Sequence, residues 1–225
     1  MTSQHDKLVA LIPVYNASGH IGKVVQRTLA HAGRVVVVDD ASTDNSGEEA
    51  RVAGAEVIRH AANQGKGAAL RTGLARCREL GCEWTVLLDA DGQHDADDIP
   101  RLLGEGVRGA KFVLGNRMNQ TANMPFWHRV GNRISSWLVS RLCGQSLPDS
   151  QCGFRLLHRD LLGALKLTAD HYEADSEMLI LAARAGCRIA SAPVTTIYAD
   201  EHSNIRPLKD AWRVMRLLLR YAHGD

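Results

Sequence analysis

Aromatic residues are scarce in this 225-residue sequence, which contains four Trp, four Tyr and three Phe. The hydrophobic content of 45% therefore comes mostly from aliphatic side chains, and it is enough for one globular domain with a substantial core. Most of the aromatic residues lie after residue 120, namely Phe126, Trp127, Trp137, Phe154, Tyr172, Tyr198, Trp212 and Tyr221. This skew distinguishes the second half of the chain from the first.

The sequence also lacks a cysteine framework and a long apolar run. Its five Cys residues are scattered, odd in number and without a C-x-x-C pair, which argues against a disulfide scaffold or a structural zinc site. No segment approaches the roughly 20 apolar residues that cross a bilayer, since Arg213, Arg216 and Arg220 interrupt the most apolar late segment. The first residues, MTSQHDK, lack the apolar core of a signal peptide, so we expect a cytoplasmic protein.

A strong charge of one sign is missing as well. The net charge is +2, with 13 Lys and Arg against 15 Asp and Glu in residues 1–112, and 14 against 10 in residues 113–225. So mild a balance gives no electrostatic reason to expect nucleic-acid binding.

Short apolar runs alternate with amphipathic stretches, and this alternation predicts an α/β fold with a mostly parallel central sheet flanked by helices. Residues 35–38 are all Val, which is typical of a parallel strand covered on both faces. We predict strands at 8–14, 34–38, 55–59, 84–88, 112–115, 154–157 and 188–194. We predict helices at 19–31, 43–53, 65–80, 96–107, 126–143, 176–185 and 207–222. No repeat or linker is visible, so we expect a single domain over residues 1–225.

An acidic pair, Asp89 and Asp91, directly follows the predicted strand 84–88. Ligands of open α/β sheets bind beyond the carboxyl ends of the strands. Two carboxylates one residue apart at that edge can hold Mg²⁺, which takes one or two carboxylates together with substrate phosphates. The alternative is an acidic turn that caps the next helix, and we prefer that interpretation for the acidic residues of 95–98.

Three other segments follow predicted strands or open a helix at the same edge. The carboxylates of Asp39 and Asp40 could form a second metal pair or accept hydrogen bonds from a nucleobase or ribose. Residues 13–16, Pro-Val-Tyr-Asn, form either a plain turn or a rigid turn whose ring lies against a base. The glycines of residues 63–67 would let backbone N–H groups approach an anion, with Lys66 adding charge. A Walker A loop and a G-x-G-x-x-G motif are both missing from the sequence.

Taken together, six segments resemble glycosyltransferase family 2, and in particular its dolichyl-phosphate mannose synthase and polyprenyl-phosphate glycosyltransferase branch. They are LIPVYN (11–16), VVVVDDASTDNS (35–46), NQGKGAALRTG (63–73), LLDADGQHD (87–95), LGNR (114–117) and DSQCGFRLL (149–157). The resemblance covers about residues 8–205. It implies a GT-A fold, a GDP- or UDP-hexose donor, Mg²⁺ or Mn²⁺ as cofactor, and inversion at the anomeric carbon.

The resemblance also implies roles for individual residues. With Lys66 from the glycine-rich segment, the expected donor-binding set is Pro13, Tyr15, Val38, Asp40, Lys66, Asp89, Ala90, Asp91 and Arg117. The expected metal ligands are Asp89, Asp91 and Gln93, and Asp91 and Arg117 are expected to be catalytic. We add Asp149 to the catalytic candidates because it precedes Gln151 and Arg155 and could orient the acceptor. A nucleotide-sugar-binding half would then occupy about residues 1–117 and an acceptor-binding half about residues 118–225.

Two departures from the family pattern concern the identity of the donor more than the reaction. Synthases of this branch usually carry Glu where this chain has Ala17. They also carry an Arg and a Lys around a late Tyr-Gly-Glu-Ser stretch, whereas residues 197–204 contain neither and Arg206 is the nearest substitute.

The acceptor-side candidates are Gln151, Arg155, Glu177 and Arg206. A lipid phosphate is already anionic and needs little help from a base, so Asp149 could orient it and Arg155 could neutralise its charge. A hydroxyl acceptor would instead require a carboxylate base, with Asp149, Asp175 and Glu177 as candidates. The positions of Asp175 and Glu177 fit a helix N-terminus equally well.

The segments 126–143 and 207–222 combine aromatic and cationic residues. Such helices either lie in a membrane interface or pack on the core with a solvated charged face. A lipid acceptor favours peripheral contact with the cytoplasmic face of a membrane, and a membrane-bound partner protein is a further option.

The sequence therefore predicts a metal-dependent inverting enzyme that moves a hexose, mannose or glucose, to polyprenyl or dolichyl phosphate. One alternative is a family 2 enzyme that uses a sugar or other hydroxyl acceptor in polysaccharide or glycoconjugate synthesis. The other is a non-catalytic subunit that binds a nucleotide sugar.

Overall fold

A computed structural model describes residues 5–118, 126–197 and 207–222, with the backbone alone for 126–128 and 207–211. The strands are β1 (Leu8–Val14), β2 (Arg34–Asp39), β3 (Glu56–Arg59), β4 (Trp84–Leu87), β5 (Phe112–Asn116), β6 (Arg155–His158) and β7 (Ile189–Pro193). The helices are α1 (Ile21–Leu29), α2 (Ser46–Val52), α3 (Lys66–Glu79), α4 (Ile99–Val107), α5 (Phe126–Cys143), α6 (Arg159–Leu162), α7 (Ala174–Arg184) and α8 (Pro207–Ala222).

All seven described strands form one sheet in the order β3-β2-β1-β4-β6-β5-β7. β1 pairs in parallel with β2 and β4, and β2 with β3, so the first four strands end at one edge. The four valines of β2 are fully buried, because helices cover both faces of this part of the sheet. The predicted α/β fold with a mostly parallel sheet is confirmed.

β6 is the one described strand that runs against its neighbours. It pairs antiparallel with β4 on one side and with β5 on the other, while β5 and β7 are parallel. The sequence did not predict this direction, since an apolar run specifies burial and not orientation. As a result, a strand from the second half lies between two strands of the first half.

Close packing of α3 on β1 fixes the helix that opens with the glycine-rich segment. A Cβ at Gly73 would lie 2.1 Å from Leu11 Cδ1, so only glycine permits this approach. The helix therefore lies directly on β1, and its N-terminus reaches the edge at which β1, β2 and β4 end.

Most predicted elements match the structure within two or three residues. The predicted helix 96–107 begins as a 3₁₀ turn, Ala96–Asp98, whose Asp95 cap accepts the N–H of Asp97. This confirms the capping interpretation for Asp95. The sequence missed α6, a single helical turn directly after β6.

α5 and α8 belong to the second half of the chain and pack against each other, while α5 also packs on α7. Among the described helices, none combines the length and the apolar character that a membrane span requires.

Candidate active site

The Asp-Ala-Asp segment stands where the sequence predicted it, at the carboxyl end of β4. The apolar side chain of Leu88 is buried, and Asp89 is the first polar residue beyond it. Asp91 accepts the backbone N–H of Gln93 at 2.9 Å, and Gly92 has a φ of +76° that suits glycine in this turn. The turn therefore presents two carboxylates at the edge of the sheet.

Asp89 is held by two cationic or hydrogen-bonding partners. Lys66 Nζ lies 2.7 Å from Asp89 Oδ1, and His94 Nε2 lies 3.2 Å from Asp89 Oδ2. Burial alone would raise the pKa of Asp89, but Lys66 and His94 outweigh it and hold that pKa well below its ordinary value. Asp89 is therefore ionised at neutral pH.

Lys66 connects Asp89 with the second half of the chain. Its Nζ also lies 2.9 Å from Asp175 Oδ2, at the start of α7. Burial would lower the pKa of Lys66, but the charges of Asp175 and Asp89 raise it above its ordinary value. The ammonium group is thus shared between a predicted donor ligand and a helix of the predicted acceptor half.

The surroundings of Asp91 disfavour its negative charge, so a bound cation would stabilise this carboxylate. Burial, followed by the negative charge of Asp89, raises its pKa. Carboxylate and amide oxygens are hard donors, so the predicted ligands Asp89, Asp91 and Gln93 fit Mg²⁺ or Mn²⁺ by their chemistry. Within the described residues, no group of three or more His, Cys, Asp and Glu side chains is placed to hold a metal ion.

Arg117 and Asp149 form a bidentate ion pair. Arg117 Nε and Nη2 lie 2.8 and 3.0 Å from the Asp149 oxygens, and the backbone N–H of Arg117 donates to the same carboxylate at 3.1 Å. Asn132 of α5 adds a hydrogen bond of 3.0 Å. Burial would raise the pKa of Asp149, but Arg117 lowers it, so this carboxylate is a poor proton acceptor.

The predicted nucleoside contacts lie at the ends of β1 and β2. Pro13 and Val38 are paired in register, and the Val38 side chain is fully buried, so only its backbone can face a ligand. Tyr15 follows β1 and is 40% exposed. Asn16, which adopts a φ of +53°, fixes this turn by accepting the N–H of Thr43 at 2.8 Å.

The glycine-rich segment does not form the anion cradle that the sequence suggested. The backbone N–H groups of Gln64 and Gly65 donate to the two oxygens of Asp40 at 2.9 and 2.7 Å. The N–H of Gly67 donates to the carbonyl of Asp170 at 2.8 Å. These amides are therefore occupied within the protein. Asp40 also accepts a hydrogen bond from His60, so both of its oxygens hold the loop.

The glycines are required there by close packing. A Cβ at Gly65 would lie 2.3 Å from the Asp170 carbonyl oxygen, and one at Gly67 would lie 2.1 Å from that of Ala169. The segment is thus a tight contact between the two halves of the chain that delivers Lys66 to Asp89.

Two predicted acceptor contacts are corrected by the structure. Arg155 is fully buried and donates to the carbonyl oxygens of Cys152, Asp175 and Ser150, so its guanidinium has no surface to offer an acceptor phosphate. Glu177 is fully buried as well, where it accepts hydrogen bonds from Tyr221 and Arg220 of α8. Both side chains hold the protein together.

The other two acceptor-side candidates have different outcomes. Gln151 is partly buried and donates to Ser135 of α5 at 2.9 Å and to Ser176 of α7 at 3.4 Å, so it lies where these helices meet. Arg206 lies outside the described residues.

Three residues of the site were missed from the sequence. His94 contacts Asp89 and stacks on Phe154, with ring centroids 5.3 Å apart. Gly153 lies directly behind Asp89, since a Cβ there would be 2.2 Å from Asp89 Oδ2. Asn132 supports Asp149. His94 and Gly153 fall inside the recognised segments, yet only their spatial neighbours reveal what they do.

The chain is similar to known proteins in both sequence and fold. The model of glycosyl transferase family 2 matches residues 9–165. The UDP-N-acetylglucosamine–dolichyl-phosphate N-acetylglucosaminyltransferase of Methanococcus voltae is 34% identical over 220 residues, covering 87% of this chain and 88% of the relative. The undecaprenyl-phosphate mannosyltransferase of Micrococcus luteus is 32% identical over 205 residues, covering 85% and 84%.

Among solved structures, glucosyl-3-phosphoglycerate synthase from Mycobacterium tuberculosis, in complex with Mn²⁺, UDP and glucosyl-3-phosphoglycerate, has the same fold. The TM-score is 0.72 at 20% identity, over 95% of this chain and 79% of the other. Because the family match runs from β1 past α6 and two relatives exceed 30% identity, the chain belongs to glycosyltransferase family 2 and is a glycosyltransferase with the GT-A fold.

Proposed function

We propose that this enzyme transfers a hexose, mannose or glucose, from GDP- or UDP-hexose to a polyprenyl or dolichyl phosphate, with inversion. One observation carries the choice of acceptor. The three carboxylates weighed above as bases for a hydroxyl acceptor are all ion-paired: Asp149 with Arg117, Asp175 with Lys66, and Glu177 with Arg220. A phosphate acceptor is anionic before it reacts and needs no such base. The two named relatives also act on lipid phosphates.

Asp89, Asp91 and Gln93 would hold Mg²⁺ or Mn²⁺. The bound ion would supply positive charge to the diphosphate that departs from the sugar. Lys66 and His94 keep Asp89 ionised, as a metal ligand must be. The fold neighbour from M. tuberculosis binds Mn²⁺ and UDP, which supports this cofactor.

Arg117 would contact the donor diphosphate and stabilise the charge that develops as the glycosidic bond breaks. Asp149 would act through Arg117 as a positioning residue, because its buried carboxylate grips the guanidinium at two nitrogens. Gln151 is the acceptor-side candidate best placed for contact, since it lies between α5 and α7.

The nucleoside would lie against Tyr15, Pro13 and the backbone of Val38, which supports a donor-binding half over about residues 1–117. The half from about residue 118 onward would bind the acceptor. α5 and α8 support membrane contact by that half, as they expose Trp137 and Trp212 by 60% and 63%. A peripheral position on the cytoplasmic face, alone or with a membrane-bound partner protein, would bring the site to its lipid acceptor.

Calorimetric titration tests the donor and metal together. We expect GDP-mannose or UDP-glucose to bind the full chain in the presence of Mn²⁺ and to lose at least tenfold in affinity in EDTA. Asp91→Asn should abolish metal-dependent binding and turnover while leaving the circular dichroism spectrum unchanged. Asp97→Asn, in the neighbouring cap, is the matched control and should bind as the wild type does.

Transfer to a short, water-soluble prenyl phosphate tests the acceptor. Formation of a prenyl-phosphate sugar is the expected result. In the calorimetric titration, donor binding without metal dependence would contradict the proposed role of Mg²⁺ or Mn²⁺ as cofactor. Transfer to a sugar hydroxyl, with none to the prenyl phosphate, would favour the hydroxyl-acceptor alternative.

A further inference from the structure

A groove of about 630 Å³ lies beside the second half of α5, and no predicted metal or donor residue lines it. The helix contributes Arg133, Trp137 and Arg141, and the loop after the helix contributes residues 144–148. The three helix residues are spaced by four, so they form one stripe along the groove. All three are exposed, and the Arg141 guanidinium lies 5.6 Å from the centre of the Trp137 ring.

The positive charge of this groove is not compensated. Among the described residues, neither Arg133 nor Arg141 has a carboxylate within salt-bridge distance, and no acidic residue lines the groove. The sequence around it is equally one-sided, since residues 106–148 contain six Lys or Arg and no Asp or Glu. Within the described part of the chain, an anionic ligand would therefore meet two guanidinium groups and no carboxylate lining the groove.

The floor of the groove is fixed by internal hydrogen bonds. Ser140 Oγ accepts the N–H of Leu147 at 2.9 Å. The Gln145 side chain donates to the Cys187 carbonyl at 2.8 Å and accepts the N–H of Ile189 at 2.9 Å. These polar groups are already partnered, so the arginines remain as the groups that select a ligand.

The apolar surroundings favour a lipid over a free anion. Trp137 is 60% exposed between the two arginines, and Ile134 beside Arg133 is 56% exposed. Exposed Trp and aliphatic side chains next to Arg are typical of protein surfaces that enter the headgroup region of a bilayer. A free phosphate ion would gain nothing from these apolar groups.

We propose that this groove binds the phosphate headgroup of an anionic phospholipid, with Arg133 and Arg141 on the phosphate and Trp137 in the interface. This lipid would bind in addition to the acceptor, since no predicted metal or donor residue lines the groove. The proposal rests on the proposed function in one respect, namely that a lipid-phosphate acceptor brings the enzyme to a membrane.

Vesicle sedimentation of the full chain tests the groove. We expect binding to vesicles of phosphatidylcholine containing phosphatidylglycerol, and much weaker binding to phosphatidylcholine alone. The double variant Arg133→Gln/Arg141→Gln should bind the anionic vesicles about 30-fold more weakly, since each arginine near an anionic surface contributes roughly a factor of five. Arg78→Gln/Arg108→Gln removes the same charge from exposed positions elsewhere and should bind as the wild type does.

Three results would overturn the proposal. Equal binding of wild type to both kinds of vesicle would remove the role of headgroup charge. Equal loss in the two double variants would show a net-charge effect without a site. Displacement by inorganic phosphate, at an ionic strength matched with chloride, would identify a free-anion site instead.

The vesicle experiment and the test of the proposed function can fail independently of each other. Vesicle binding needs neither donor nor metal, whereas transfer to the water-soluble prenyl phosphate needs no vesicle. Both double variants should keep the wild-type thermal midpoint, because the substituted side chains are exposed.

Discussion

The proposed metal ligand Asp89 is held in place by its neighbours, one of which is a residue without a side chain. Lys66 and His94 contact the two carboxylate oxygens of Asp89. Gly153 lies next to the same carboxylate, since a Cβ at Gly153 would lie 2.2 Å from Asp89 Oδ2. The sequence shows this glycine only as one letter of DSQCGFRLL, because its role depends on a residue far away along the chain.

Gly153→Ala should therefore push the Asp89 carboxylate out of position. We expect Mn²⁺ affinity to fall about 10- to 100-fold, the range typical when a group supporting a metal ligand is lost. The measurement is Mn²⁺ titration by electron paramagnetic resonance, with the thermal midpoint recorded in parallel.

Gly163→Ala is the matched control, since a Cβ at Gly163 would meet open space. It should leave Mn²⁺ affinity unchanged. Wild-type affinity in Gly153→Ala would mean that Asp89 can shift without loss, and would weaken its assignment as a ligand.

At the scale of the element, α8 is apolar on two sides. Val214, Leu217, Leu218 and Tyr221 face the core, and the Tyr221 hydroxyl donates to buried Glu177 at 2.9 Å. Trp212, Met215 and Leu219 are exposed on the other side. Core packing, one of the two interpretations offered by the sequence, therefore applies to one face of the helix, and interface contact stays a prediction for the other.

Substitution of two adjacent leucines of α8, one on each face, tests the two faces separately. Leu218→Ala should lower the free energy of unfolding by about 2 to 4 kcal/mol, because it leaves a cavity in the core. Leu219→Ala, at a position 54% exposed, should change it by no more than about 0.5 kcal/mol. Urea unfolding measures both.

The effect on vesicle binding should be the opposite. Under conditions where both variants are folded, Leu219→Ala should bind vesicles more weakly than Leu218→Ala does. Equal destabilisation by the two substitutions would contradict the assignment of the faces.

For the whole molecule, one buried ion pair network links the two halves. Lys66 opens α3 and lies between Asp89 of the first half and Asp175 of α7, 109 residues further along. Arg155 donates to the Asp175 backbone carbonyl at 2.6 Å and extends the connection into β6. These contacts therefore fix the position of α7 relative to the end of β4, where Asp89 lies.

Lys66→Met should remove the ammonium group that buried Asp175 and partly buried Asp89 share, and should leave Arg155 near Asp175 and His94 near Asp89. We expect the free energy of unfolding in EDTA to fall by about 1 to 3 kcal/mol, as is typical when a hydrogen bond to a charged group is lost. Part of the loss should be recovered in Mn²⁺, because a cation at Asp89 replaces the missing charge.

Lys111→Met breaks an exposed pair with Asp160 and is the matched control. It should unfold at the wild-type midpoint with and without Mn²⁺. If Lys66→Met also unfolds at the wild-type midpoint, the contacts of Lys66 with Asp89 and Asp175 do not stabilise the fold.

The sequence by itself determined the fold class, the strands that supply the edge, and the position of the Asp-Ala-Asp segment on that edge. These features are local, since apolar runs and turn residues follow one another along the chain. The family also followed from the order of short motifs, and the match over residues 9–165 confirms it.

Only the tertiary structure decided which polar groups meet. Asp40 and the Asp170 carbonyl occupy the amides of the glycine-rich segment, Asp149 grips Arg117, and Arg155 is buried. The direction of β6 was likewise invisible, because apolar runs of either direction read alike. A charged residue in a sequence has many potential partners, and the packing of distant segments selects one of them.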